Sequence, residues 1–125
     1  MSLNAYHRTR SVVETPRATE CRLMRQITGE MIEARDAGLA GVPLTPILFR
    51  NREVWSAFAA ACAARGNMLP IPLRAAIVSL GLWVERYTTD VAAGRDRIDA
   101  LIEINRLIID GLQGESLPSA GHTLN

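Results

Sequence analysis

"IDALIEINRLIIDGL", residues 98–112, decides the fold. Ile98, Leu101, Ile102, Asn105, Ile108, Ile109 and Leu112 recur with the helical period, so one stripe of the segment is apolar except at Asn105. Asp96 is expected to cap the start, and Gly111 and Gly114 to stop a helix running from residue 97 to about 112. An amide inside such a stripe must find hydrogen-bond partners or cost about 1–3 kcal/mol. Two readings stay open for Asn105: it bonds a loop backbone, or it marks the mouth of a binding groove. The first is the commoner use of a buried polar group.

Upstream, "LPIP" at residues 69–72 places two prolines where only a first helical turn tolerates them. Leu73, Ile77, Leu80, Val84, Tyr87 and Val91 then follow at steps of three and four and end before Gly94. Trp83, with Ala76 and Leu80, widens this arc, so the segment is expected to be the central helix, covered on more than one side. Thr45-Pro46 and Thr15-Pro16 each read as an N-cap followed by proline at the first helical position. Ile47, Leu48, Val54, Trp55, Phe58 and Cys62 continue the first of these to about residue 65, before Gly66-Asn67-Met68 breaks it. Leu23, Met24, Ile27, Met31 and Ala34 continue the other from residue 16 to about 37, before Gly38 and Gly41. Residues 3–13 carry a sparser pattern, with Tyr6, Val12 and Val13 as anchors of a short first helix. The expected architecture is all-α: a compact bundle of four main helices plus a short N-terminal one. Residues 1–114 form one domain in this reading, and 115–125 a mobile tail.

Composition agrees. At 125 residues the chain suits one domain, and 5% aromatic content against abundant alanine, leucine and arginine favours helix over sheet. All 14 basic residues are arginines, balanced by 13 acids to a net charge of +1, and no basic stripe of the kind that neutralises many phosphates is visible. Cys21 and Cys62, the only cysteines, form no CxxC or His/Cys cluster, so neither zinc nor a disulfide framework is indicated. The start of the chain lacks an apolar leader, and no run approaches the roughly 18 apolar residues of a membrane span. A cytoplasmic protein is expected.

Chemistry is sparse. His7 and His122 lie near opposite ends of the chain, which disfavours a Ser-His-Asp or Cys-His arrangement. No P-loop, GxGxxG after a strand, HExxH or EF-hand loop occurs. An enzyme is not expected, nor is a cofactor or a metal. Glu30, Glu33 and Asp36 are spaced too loosely for a cation and suit a solvated helical face. Asn51 and Trp55 stand four apart on one face, read as a core anchor with a bonded amide or as ligand contacts. Trp83 and Tyr87 belong to core or to a docking surface. Met24, Met31 and Met68 fill core gaps or line a partner site.

Several of these positions fall together in one resemblance. "NAYHRTR" (4–10), "ETPRATE" (14–20), "NREVWSAF" (51–58), "NMLPIPLRAAIVSLGLWV" (67–84) and "LIEINRLIIDGL" (101–112) occur in the order and spacing of the FlaF family of flagellar biosynthesis regulators, which the chain resembles from residue 4 to 112. The resemblance implies a regulator required for filament assembly that acts with FlbT on flagellin expression and binds flagellin as a secretion chaperone. It makes Arg17 notable, because a helix start does not require it. Arg17 is expected to tie that start to a carboxylate or a helix C-terminus elsewhere. A small helical domain suits such a role by holding an amphipathic flagellin helix in a groove between the helix from residue 16 and the central or last helix. Arg17, Arg52, Arg74, Arg86 and Arg106 are the candidates for its rim or for internal networks, beside Asn51, Trp55, Trp83 and Asn105. Direct contact with flagellin mRNA is the alternative, and a two-fold pairing through the central helix is a third possibility.

Overall fold

The computed structural model of the chain describes residues 16–64 and 69–116. The expected helix over residues 3–13, the Thr15 cap, the break at Gly66-Asn67-Met68 and the tail beyond residue 116 lie outside them. Among the described residues are four α-helices and no strand: α1 (Pro16–Asp36), α2 (Thr45–Ala63), α3 (Ile71–Ala92) and α4 (Asp99–Ser116), with a 3-10 turn at Val42–Leu44 before α2. The all-α bundle read from the sequence is the observed architecture.

Short connections make consecutive helices antiparallel. Gly38 at φ 71° closes α1, its N–H reaching the Arg35 carbonyl while Leu39 N–H reaches back to Ala34. Gly94 at φ 79° closes α3 in the same way, through Gly94 to Val91 and Arg95 to Asp90. Both are Schellman turns, which satisfy the last carbonyls with a glycine in the left-handed region. Thr45, expected as a cap, has helical backbone angles and donates its hydroxyl back to the Gly41 carbonyl at 3.2 Å. It fastens the 3-10 turn onto α2 instead of capping.

The last helix differs from expectation at both ends. The Gly94 turn consumes residues up to 97, so Asp96 caps nothing. The first helical bonds go to the Ile98 carbonyl, from Leu101 and Ile102, and α4 starts at Asp99 with a carboxylate in its first turn. The helix then runs through Gly111 and Gly114 to Ser116, two residues into the expected tail. A glycine costs roughly 1 kcal/mol in a helix, and burial of Ile108, Ile109 and Leu112 overrides it. All seven positions of the stripe from Ile98 to Leu112 are buried.

Each helix packs on two neighbours: α2 lies between α1 and α3, α1 also packs on α4, and α3 meets α4 more lightly. Trp55 and Phe58 of α2 meet edge to face at 6.0 Å in the middle of the core. The segment read as central, α3, is no more central than the others and is covered on one side, by α2 and more lightly by α4. It buries Ile77, Val84, Thr88 and Val91 against the bundle, but Ala76 is exposed and Leu80 and Trp83 are half-covered. The wide apolar arc misled, because periodicity counts apolar positions and not the neighbours available to cover them. Leu23, counted in the stripe of α1, likewise faces outward, and Thr28 takes the inward position. Met24 and Met31 are core residues with no exposed surface. No described helix is long and apolar enough to cross a membrane.

The two helices α2 and α3 approach closely at Gly81, where an added Cβ would meet Ala59 Cβ at 3.2 Å and Trp55 Cε3 at 3.9 Å. A Gly81→Val change should force the helices apart and cost about 1–3 kcal/mol. Gly29, mid-helix with nothing within 4 Å of its Cβ position, should gain about 0.5–1 kcal/mol on substitution by alanine. Urea midpoints of the two variants should therefore move in opposite directions.

Candidate functional site

The polar residues singled out on different helices meet inside the bundle. Trp55 Nε1 on α2 donates to Asn105 Oδ1 on α4 at 2.7 Å. Asn105 Nδ2 donates to Asn51 Oδ1 on α2 at 2.8 Å and to Thr28 Oγ1 on α1 at 3.0 Å. The Thr28 hydroxyl in turn donates to the Met24 carbonyl at 2.6 Å. Trp55, Asn51 and Asn105 are at most 1% exposed and Thr28 4%.

The direction of every bond follows from one fact of chemistry. An indole N–H can only donate, so Asn105 must present its carbonyl to Trp55 and its amide nitrogen to the other side. That nitrogen needs acceptors, and Thr28 offers a lone pair because its proton is committed to Met24. Asn51 offers its carbonyl, which leaves its own amide nitrogen without a partner in the interior. Of the two readings of Asn105, the groove mouth fails because the amide is sealed, and the loop-backbone bond is replaced by side chains of two other helices. Asn51 and Trp55 are internal for the same reason.

The arginines divide by environment. Arg74, near the start of α3, sends Nε to the Cys62 carbonyl at 2.8 Å and Nη2 to the Ala64 carbonyl at 3.3 Å, so a guanidinium caps the C-terminus of α2. Arg52 lies 4.6 Å over the Phe49 ring on the outer side of α2. Arg50 of α2 pairs with Glu30 of α1. Arg86 is exposed on α3. The side chain of Arg17 lies outside the described residues. Trp83 stacks on Tyr87 at 4.6 Å and 17°, and the Tyr87 hydroxyl donates to the Arg97 carbonyl at 3.0 Å, joining the end of α3 to the start of α4.

Arg106 lies on a shallow open cleft of about 280 Å³ between α1 and α4, with Arg35, Asp99, Ile102, Glu103 and Leu107. Arg35 Nη1 stands 3.6 Å from Asp99 Oδ2, and Leu107, 59% exposed, also lines the cleft. Two arginines and two acids line the cleft beside Ile102 and Leu107, so an apolar spot there has charges of either sign around it. Arg35, Asp99 and Leu107 were not singled out in the sequence, because the pairing of α1 with α4 brings them together. Thr28 was not singled out either, although its spacing of four residues from Met24 puts it on the stripe of α1.

Cys62 is sealed in the core, and burial, reinforced by the Glu20 charge and opposed by Arg74, raises its thiol pKa to about 11. Among the described residues no three His, Cys, Asp or Glu side chains gather as a metal ion requires. Both histidines lie outside the described residues.

A family model described as flagellar protein FlaF matches residues 2–112. No curated protein and no solved structure matches the chain.

Replacing Asn105 by alanine strands the Trp55 N–H in the core and should cost about 2–4 kcal/mol. Asn51→Ala should cost less, since Asn105 keeps Thr28 as an acceptor and the orphaned Asn51 nitrogen disappears. Urea unfolding of the two variants checks the order. Cys62 should resist a thiol reagent at pH 8 in the folded chain and react at once in denaturant, because the reactive form is the thiolate; prompt labelling of the native chain would contradict this burial.

Proposed function

Because the chain belongs to the FlaF family of flagellar proteins, we propose that it is a non-enzymatic regulator of flagellum biosynthesis that binds flagellin. In this reading it escorts flagellin as a secretion chaperone in the cytoplasm and acts with FlbT in the control of flagellin synthesis. The observation that carries the binding step is the cleft between α1 and α4, where Leu107 is exposed beside Arg35 and Arg106.

An amphipathic helix supplies what that surface lacks. Its apolar face would cover Leu107 and the edge of Ile102, while acidic positions flanking that face would meet Arg106 and Arg35. Arg35 already touches Asp99, so an incoming carboxylate competes with one of moderate exposure, worth roughly 0–1 kcal/mol at such a site. Lys-free chemistry suits this role: a guanidinium presents a planar fork that engages a carboxylate with two bonds at once. The charge balance of +1 and the commitment of Arg50, Arg74 and Arg95 to intramolecular partners support a protein partner over mRNA.

Titration of the folded chain with purified, unassembled flagellin should give saturable binding at micromolar concentration. Leu107→Glu and Arg106→Glu should each weaken it about tenfold or more, equivalent to roughly 1.4 kcal/mol, with the thermal midpoint nearly unchanged because both side chains are exposed. Absence of binding by the wild-type chain would sink the chaperone reading. Steeply salt-dependent retention of the flagellin leader RNA in a filter assay would put the mRNA alternative in its place.

A further inference from the structure

Where α1 ends and α4 begins, Arg35 and Asp99 are the middle members of a row of four alternating charges. Arg35 Nε donates to Asp36 Oδ1 at 3.1 Å, Arg35 Nη1 stands 3.6 Å from Asp99 Oδ2, and Arg97 Nε stands 3.5 Å from Asp99 Oδ1. Only the first of these is a hydrogen bond. A guanidinium bonded to a carboxylate closes to about 2.7–2.9 Å. The Asp99 carboxylate therefore offers one oxygen to each of two arginines and is closed onto neither. Its side chain is 46% exposed, free enough to move between them.

Arg35 and Asp99 line the cleft between α1 and α4. Nη2 of Arg35 enters no hydrogen bond among the described residues, so the guanidinium keeps an open edge. We propose that Asp99 is a built-in competitor for the carboxylate that this cleft receives: it holds Arg35 in the free chain and passes to Arg97 when a partner's acid takes Arg35. The inference rests on the reading of the cleft as the flagellin site.

The geometry sets which contact gives way. A carboxylate that engages the end of a guanidinium spans Nη1 and Nη2 together. Nη1 is the atom facing Asp99, and two carboxylates at one Nη1 repel each other. Asp36 is no obstacle, because an end-on fork leaves Nε free to keep its bond. Asp99 yields because Arg97 already stands beside its other oxygen, so the charge changes partner without being left alone. Glu103, the other acid of the cleft, enters no ion pair among the described residues and blocks no fork. Competition of this kind lowers affinity and speeds release, which suits a carrier that must give up its cargo.

Titration of unassembled flagellin onto the full chain tests this. Asp99→Asn should tighten binding about threefold or more, while the thermal midpoint falls slightly because an acid is lost from the first turn of α4. Tighter binding by a less stable chain is not what a purely structural Asp99 would give. Glu85→Gln, which removes the same charge from an exposed position on α3, should leave affinity unchanged. Arg97→Gln takes away the alternative partner, so it should weaken binding about twofold in the wild-type background and have no effect beside Asp99→Asn. If flagellin binds and Leu107→Glu weakens it, the cleft reading stands, and an Asp99→Asn affinity equal to or below that of the wild type then overturns the competitor alone. An equal loss from Arg97→Gln in both backgrounds also overturns it, since Arg97 would then be a direct contact. Binding absent from wild type and Asp99→Asn alike overturns the cleft reading and the competitor with it.

Discussion

One indole N–H organises this bundle. Trp55 is the largest side chain sealed in the core, and its nitrogen can only donate, so the fold must bring an acceptor to it or lose stability. Asn105 is that acceptor, 50 residues away in the chain. By accepting from α2 and donating to both α1 and α2, it fixes three helices in one register. A slip of one residue in α4 would replace Asn105 at the indole by Ile104 or Arg106, neither of which can accept its proton. Apolar stripes alone tolerate such slips at modest cost, whereas a buried hydrogen-bond network with fixed donors and acceptors does not.

Much of this was legible before the structure. The stripe of α4 is buried at every one of its positions, and the amide within it announced that some polar group had to be waiting inside. Asn51 and Trp55 were visible as a pair four residues apart. That they are the partners of Asn105 was not visible, because helical periodicity reports which face is buried and is silent on which other face it meets. Thr28 was missed through the same blindness: a threonine in a stripe reads as a boundary until an acceptor is required of it. Arg74 shows the converse. Its role as a cap for α2 depends on the hairpin between α2 and α3, and no local pattern distinguishes it from Arg86, which is exposed.

The position of α3 was misread because its apolar arc is wider than its own domain covers, and width was taken to mean centrality. The surplus is outward-facing surface, so the error and the surplus are one observation. The same logic applies to Leu107, apolar on the outside of a helix whose inner stripe is already complete. Residues beyond what the core uses are where partner surfaces are sought, while the polar hub, which looked like a site, belongs to the interior. This division separates variants that should damage the fold from variants that should damage association alone.

The account depends on Trp55 and Asn105 acting as a unit, and a double-mutant cycle measures that directly. Trp55→Phe, Asn105→Ala and the double variant, compared by urea unfolding, should be non-additive: once the indole N–H is gone, removing its acceptor should cost about 1–2 kcal/mol less than in the wild-type chain. Additivity within about 0.5 kcal/mol would mean that the bond contributes nothing of its own, and that packing around Trp55 and Phe58 sets the register of the bundle.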